Sequence, residues 1–171
     1  WSTPQNRLDP EALRQVAELA PTVIRFPGGV FSDTYRWRDG VGPAGTRPTT
    51  ENYPGGPKSR HAVGTLEIAE IARRAGGELL ITVNAGSGSA REAADWVRFA
   101  RAEVSPRVRL WEVGNELYMK GDLSGHTLTA SQYSARFLEY AAAMRAADPD
   151  IRIAAIGGLN RGNYRFVADD R

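Results

Sequence analysis

Glu116 closes the stretch Trp111-Glu112-Val113-Gly114-Asn115-Glu116, and it is the residue of this sequence best suited to reaction chemistry. Val108, Leu110, Trp111 and Val113 suit a buried parallel strand, and Gly114 suits a crowded strand end. Side chains alternate along a strand. Glu112, Gly114 and Glu116 are therefore expected on one face, with Trp111 and Val113 on the other. A carboxylate at a strand tip can act as a general acid when burial or a nearby negative charge favours its protonated form. The amide of Asn115 beside it can hydrogen-bond a substrate hydroxyl. Glycoside hydrolysis needs a second carboxylate, about 5–5.5 Å away where configuration is retained. Glu112 lies two pleats deeper on the same strand, while Asp33 and Asp122 fall on loops. No other acid stands at the end of an expected strand, so the pair is incomplete.

Other chemistries fit less well. Gly86-Ser87-Gly88 resembles the start of a dinucleotide fingerprint, but Arg91 occupies the place of its third glycine. His61 and His126 are the only histidines, and with no cysteine present there is no thiolate or HExxH site for a metal. A G-x-S-x-G elbow is also missing. The aromatics Tyr35 and Trp37 can stack on a sugar face, or pack within their loop.

Elements that must position these groups follow from periodicity. Asp9 and Pro10 open a helix expected over 9–20, with Leu13, Val16, Ala17 and Ala20 on its apolar face and Pro21 at its end. Residues 22–26 form a short β-rich run ended by Pro27-Gly28-Gly29. A long polar loop then extends to about His61. It carries Phe31, Tyr35, Trp37 and Tyr53, whereas disordered linkers are poor in aromatics, so it is expected to be ordered. Thr65 is expected to cap a second helix, which Gly76-Gly77 end. Residues 79–83 form a strand ending at Asn84. Ser89 and Glu92 open a third helix, and the Trp111 strand follows Pro106. A loop with Tyr118, Lys120, Asp122 and His126 leads to a fourth helix from Thr129 and Gln132 to Met144. A last strand covers 151–156.

Such alternation predicts an α/β fold with a parallel sheet and helical crossovers. All strand C-termini then lie on one side, where Arg25, Asn84, Asn115 and Glu116 gather and the long loop departs. Arg25 alternatively forms an ion pair with a core carboxylate such as Glu112, and Asn84 alternatively caps its own turn. The 171 residues suffice for one domain with a core, and a net charge of +2 is too small to argue for nucleic acid or a membrane surface. No stretch approaches the roughly 20 apolar residues of a membrane helix. Localisation is open.

With these residues in place, the chain resembles a known family. Trp-Glu-Val-Gly-Asn-Glu resembles the acid/base strand of clan A retaining glycoside hydrolases, the fourth strand of their (β/α)8 TIM barrel. Arg25-Phe26-Pro27-Gly28-Gly29, with Asp33, Tyr35, Trp37 and Arg38-Asp39-Gly40-Val41-Gly42-Pro43, resembles the second-strand region of family 51 α-L-arabinofuranosidases. Gly64-Thr65-Leu66-Glu67 and Val83-Asn84-Ala85-Gly86 fit the same pattern. The resemblance implies Glu116 as the catalytic acid/base, Asn115 as a contact to the sugar 2-hydroxyl, and Arg25 beneath the site. It also places Asn84, Asp33 and Trp37 in the substrate-binding region. Val30 stands where these enzymes usually have Asn, which removes one sugar contact. No cofactor is implied.

A full barrel takes roughly 250 residues. The resemblance therefore implies a single incomplete barrel domain over 1–171, holding about strands two to five and lacking strand one and strands six to eight. The nucleophile, a Glu on strand seven, is expected outside the chain, so these residues alone are expected to be inactive. The implied partner is a carbohydrate substrate, with a homo-oligomer possible for the full-length protein. A non-catalytic carbohydrate-binding or interaction module on the same fold is the alternative.

Overall fold

The computed structural model describes residues 7–119 and 123–158. Four parallel strands form one sheet in the order β1-β4-β5-β6: β1 Val23–Phe26, β4 Glu78–Val83, β5 Leu110–Val113 and β6 Arg152–Ala155. Helices α1 Pro10–Glu18, α2 Thr65–Ala75, α3 Ala90–Glu103 and α4 Ala130–Ala147 alternate with them. The expected α/β alternation is therefore present, with one strand running directly beside the next in sequence.

Register separates the two faces. Phe26, Ile81, Trp111 and Ile153 lie side by side, as do Val83 and Val113. This face packs on Ala93, Trp96 and Val97 of α3 and on Tyr140 and Met144 of α4, forming the core. The opposite face carries Arg25, Leu80, Thr82, Leu110 and Glu112, and Val23 at its edge is 43% exposed. Parallel sheets are usually covered on both faces. Among the described residues, helices cover only the first.

Local chemistry explains most boundaries. Asp9 accepts the N–H groups of Glu11 and Ala12 through its side chain, and Pro10 occupies the first turn of α1. That helix ends earlier than expected because Ala20 turns left-handed at φ 45°. Helix α2 is not capped by Thr65. Gly64 holds the cap position, and its N–H donates to the Glu67 carboxylate at 2.8 Å. A Cβ there would lie 1.9 Å from the Gly40 carbonyl oxygen, so only glycine fits. Thr65 is instead buried, accepting the Trp96 indole N–H at 2.9 Å. Thr129 and Gln132 cap α4 reciprocally, as their spacing predicts.

The 27–61 segment is ordered but not a plain loop. It contains three short 3-10 turns and a hairpin of β2 Thr49–Glu51 with β3 Lys58–Arg60. These strands of three residues carry no readable alternation, so periodicity could not show them. Arg47 is buried within the segment and donates to the carbonyls of Gly42 and His61 and to Glu67.

His61 is buried beside Phe31 and Tyr35, with its Nε2 2.9 Å from Thr50 Oγ1. Burial lowers its pKa below the ordinary 6.5; nearby Asp39 opposes the shift and Arg47 adds to it. The unfolded chain thus takes up this proton first as pH falls. Stability from neutral His61 is full above about 6.5 and is lost as pH drops below it toward the folded value. The unfolding midpoint should fall more between about pH 7.5 and 5.5 for the wild type than for His61→Gln. Equal slopes for the two proteins would overturn this.

Candidate functional site at the strand C-termini

Three tips converge on the same side of the sheet. Strand β1 ends at Phe26, β4 at Val83 and β5 at Val113. Gly114 continues the ladder by donating its N–H to the Val83 carbonyl at 3.1 Å, but its φ of 77° breaks the pleat. Glu116 therefore does not follow Glu112 and Gly114 along one face. It sits in a turn, with its carbonyl accepting the Met119 N–H at 2.8 Å. Its own backbone is left-handed at φ 44°, a conformation that costs a non-glycine residue about 1–3 kcal/mol and concentrates at functional sites. Its side chain is exposed.

Beneath it, Arg25 links two tips. Its Nε donates to Glu112 Oε2 at 2.6 Å, and its Nη2 approaches the same oxygen at 2.6 Å and donates to Asn115 Oδ1 at 3.1 Å. Thr82 Oγ1 also donates to Glu112 Oε2, at 2.8 Å. Arg25 and Glu112 thus form the ion pair that the residues alone left open, directly under the tip. The guanidinium can only donate, which fixes Asn115 with its oxygen toward Arg25. Asn115 is 7% exposed, and its Nδ2 has no hydrogen-bond partner among the described residues. Gly28 turns at φ 75° over the same guanidinium, where a Cβ would lie 3.2 Å from Nη1.

The remaining expected site residues have other surroundings. Asn84 is buried, its Nδ2 donating to the Tyr35 carbonyl and Ser87 Oγ and its Oδ1 accepting the N–H groups of Ser87 and Gly88. Its side chain shapes the turn after β4. Trp37 is 6% exposed and stacks on Trp96 at 6.1 Å between ring centroids, with its Nε1 donating to the Glu92 carbonyl. It faces the core, not the open side, and Tyr35 is buried with it. Of the two uses open to these rings, inward packing is the one the fold makes, and neither offers a face for a sugar to stack on. Asp33 is 0% exposed and accepts the Asn115 backbone N–H through Oδ2 at 2.9 Å. Asp122 and Lys120 lie outside the described residues.

Helix α4 contributes a set of contacts that the sequence reading missed. Tyr133 Oη donates to the Val113 carbonyl and accepts the Ile156 N–H, Arg136 donates to the Ala85 carbonyl, and Tyr140 Oη donates to the Asn84 carbonyl. Burial raises the pKa of Tyr133 to about 12 and that of Tyr140 further, so both phenols remain donors. Their spacing of i, i+3 and i+7 puts them on one helical face, and three long polar side chains on an inward face were the available signal. No group of three or more His, Asp or Glu among the described residues is placed to hold a metal. No helix among them is long and apolar enough to cross a membrane.

An exposed carboxylate, a buried amide donor and a cation below them can bind a polyol and pass a proton to or from its oxygens. Comparison with known proteins agrees with that chemistry. The chain is 31% identical to an exo-alpha-(1->6)-L-arabinofuranosidase of Bifidobacterium longum, over 86% of this chain and 31% of the relative. It is 33% identical to an intracellular exo-alpha-(1->5)-L-arabinofuranosidase of Streptomyces lividans, over 93% of this chain and 27% of that one. The crystal structure of an alpha-L-arabinofuranosidase from Thermotoga maritima in complex with arabinose superposes with a TM-score of 0.80 and 28% identity, covering 90% of this chain and 34% of the other. The chain thus spans about a third of the length of the curated relatives it matches, and its sheet corresponds to part of their TIM barrel. The sequence profile of the alpha-L-arabinofuranosidase 1 domain matches residues 15–107, more than half of the chain, which therefore belongs to that family of glycoside hydrolase family 51 arabinofuranosidases.

Proposed function

We propose that this chain supplies the acid/base part of a retaining α-L-arabinofuranosidase-like glycosidase that cleaves plant-type oligosaccharides or polysaccharides. The observation that carries this reading is the pairing of Asn115 and Glu116: a left-handed, exposed carboxylate next to an amide oriented by Arg25. Glu116 protonates the leaving oxygen, then takes a proton from the water that releases the sugar. The Asn115 Nδ2 donates to a sugar hydroxyl, giving that buried donor its partner. Arg25 offsets the negative charge gathered at the site, and Glu112 holds it in place.

The chain represents about strands two to five of the barrel, and the nucleophile comes from a strand beyond it. An open cavity of ≈ 580 Å³ beside the β1 tip is lined by Pro27, Val30, Phe31, Tyr53, His61 and Leu123, and not by Arg25, Asn115 or Glu116.

The test is direct. The full-length enzyme containing these residues should hydrolyse a nitrophenyl α-L-arabinofuranoside, and proton NMR should show the first-formed sugar with its configuration retained. Residues 1–171 alone should show no turnover, because the nucleophile of this reading comes from a strand outside them. Inversion, or hydrolysis by the isolated chain that disappears in Glu116→Ala, would overturn the proposal. Sugar binding without hydrolysis by the full-length protein, unaffected by Glu116→Gln, would establish the non-catalytic alternative.

A further inference from the structure

Asp33 sits where three strand tips meet. It ends the 3-10 turn Val30–Asp33 and has no solvent-exposed surface. Its carboxylate Oδ2 accepts the N–H of Asn115, 82 residues away. Its own carbonyl accepts the Ser87 N–H at 3.0 Å and the Ser87 Oγ–H at 3.1 Å. One residue of the β1 loop therefore ties down the tips of both β4 and β5. Two glycines make the space for it. A Cβ on Gly86 would lie 2.6 Å from the Asp33 carbonyl oxygen and 2.8 Å from its Cβ, and one on Gly114 would lie 3.3 Å from Oδ1.

Burying a carboxylate is costly unless it is well partnered. A hydroxyl or an amide could fill the same space and accept the same proton at a smaller cost. At this place a side-chain oxygen is needed to accept the backbone N–H, which Asp33 does at 2.9 Å. The location of that bond is informative. Asn115 stands between Gly114 at φ 77° and Glu116 at φ 44°. A strained residue persists only where its surroundings fix it. On the far side Leu117 is fully buried and its carbonyl accepts the Leu128 N–H at 2.7 Å. On the near side, backbone fixation comes from Gly114 N–H on the β4 ladder and from Asp33 on Asn115 N–H.

We infer that Asp33 is a positioning residue for the acid/base: by holding the Gly114–Asn115 peptide, one residue short of Glu116, it fixes the start of the left-handed turn that projects the carboxylate and the place from which Arg25 orients the Asn115 amide. It acts through Asn115 and does not touch the substrate. This inference rests on the proposed role of Glu116, and the experiment separates the two.

In the full-length enzyme, kcat/KM is measured for two α-L-arabinofuranosides, one with a dinitrophenyl leaving group and one with a sugar leaving group. A misplaced general acid slows departure of the sugar, which needs a proton, and hardly affects the activated phenol. The ratio between substrates is independent of how much enzyme is folded, so a general loss of structure does not mimic the effect. Asp33→Ala should lower kcat/KM for the sugar leaving group about tenfold more than for the dinitrophenyl one. Asp33→Asn retains an acceptor oxygen and should recover most of that ratio. Glu116→Ala, measured alongside, should show the same signature with a larger amplitude. If Glu116→Ala shows it while Asp33→Ala lowers both substrates equally, or Asp33→Asn is as impaired in the ratio as Asp33→Ala, the positioning role is wrong and the acid/base assignment stands. If Glu116→Ala shows no dependence on the leaving group, the functional reading itself fails.

Discussion

Glu116→Ala in the full-length enzyme is expected to lose about a hundred- to ten-thousand-fold in kcat/KM toward glycosides with poor leaving groups. A positioned general acid contributes most where the departing oxygen would otherwise leave as an alkoxide. Stability should respond differently. Glu116 holds a left-handed backbone at φ 44°, which favours glycine over any residue with a Cβ by roughly 1–2 kcal/mol. Glu116→Gly should therefore unfold at a higher denaturant concentration than Glu116→Ala, although both lack the carboxylate. The extra backbone freedom of glycine in the unfolded chain offsets part of that gain. Chemical denaturation of the two variants, together with their kinetics, checks both halves. Full activity in Glu116→Ala would remove the residue from the reaction. An alanine variant at least as stable as the glycine one would show that the tip relaxes out of its left-handed form. A residue that combines strain with function is a common outcome where activity requires a geometry the chain does not favour.

The sequence made some of this legible and concealed the rest for physical reasons. Helical spacing, capping residues and β-rich runs are local signals, so α2, α3, α4 and the four parallel strands fall near their expected places. The expected separation of Trp111 and Val113 from Glu112 onto opposite faces also holds, because the pleat is regular up to Val113. It fails one residue later. Gly114 leaves extended geometry, and alternation no longer predicts where Glu116 points. The tip residues Arg25, Asn115 and Glu116 could be singled out by type and place. Their connections span 90 residues from Arg25 to Asn115 and 82 from Asp33 to Asn115, and no local pattern encodes such pairings. Loop aromatics were correctly a sign of order. Sequence alone could not say whether Trp37 turns outward to a sugar or inward to Trp96, since either use satisfies a large apolar ring. Asn84 posed the same ambiguity, and its amide is taken up by the turn after β4.

Trp96→Ala should be the most damaging of the core substitutions in this region, lowering stability by about 3–5 kcal/mol. Trp96 is buried on α3 and joins four parts of the fold. Its ring stacks on Trp37 at an interplanar angle of 8°, meets Trp111 of β5 edge-on at 6.0 Å, and lies 5.8 Å from Tyr35. Its indole N–H donates to Thr65 at the start of α2. Truncation removes the ring, opens a cavity and leaves the buried Thr65 hydroxyl without that donor. Trp96→Phe keeps most of the packing and loses the hydrogen bond, so about 1–2 kcal/mol is expected. The consequence reaches the site because Tyr35 and Trp37 belong to the same segment as Asp33. Weakening their anchor loosens the residue that holds Asn115. In the full-length enzyme, Trp96→Phe should therefore keep wild-type discrimination between good and poor leaving groups, whereas Trp96→Ala, assayed where it remains folded, should shift toward the pattern of Asp33→Ala. Denaturant midpoints at unchanged m give the first quantity, and paired substrates give the second. A Trp96→Ala enzyme that loses less than about 1.5 kcal/mol, well below the usual range for such truncations, would show that the aromatic cluster collapses into the gap and does not hold the loop.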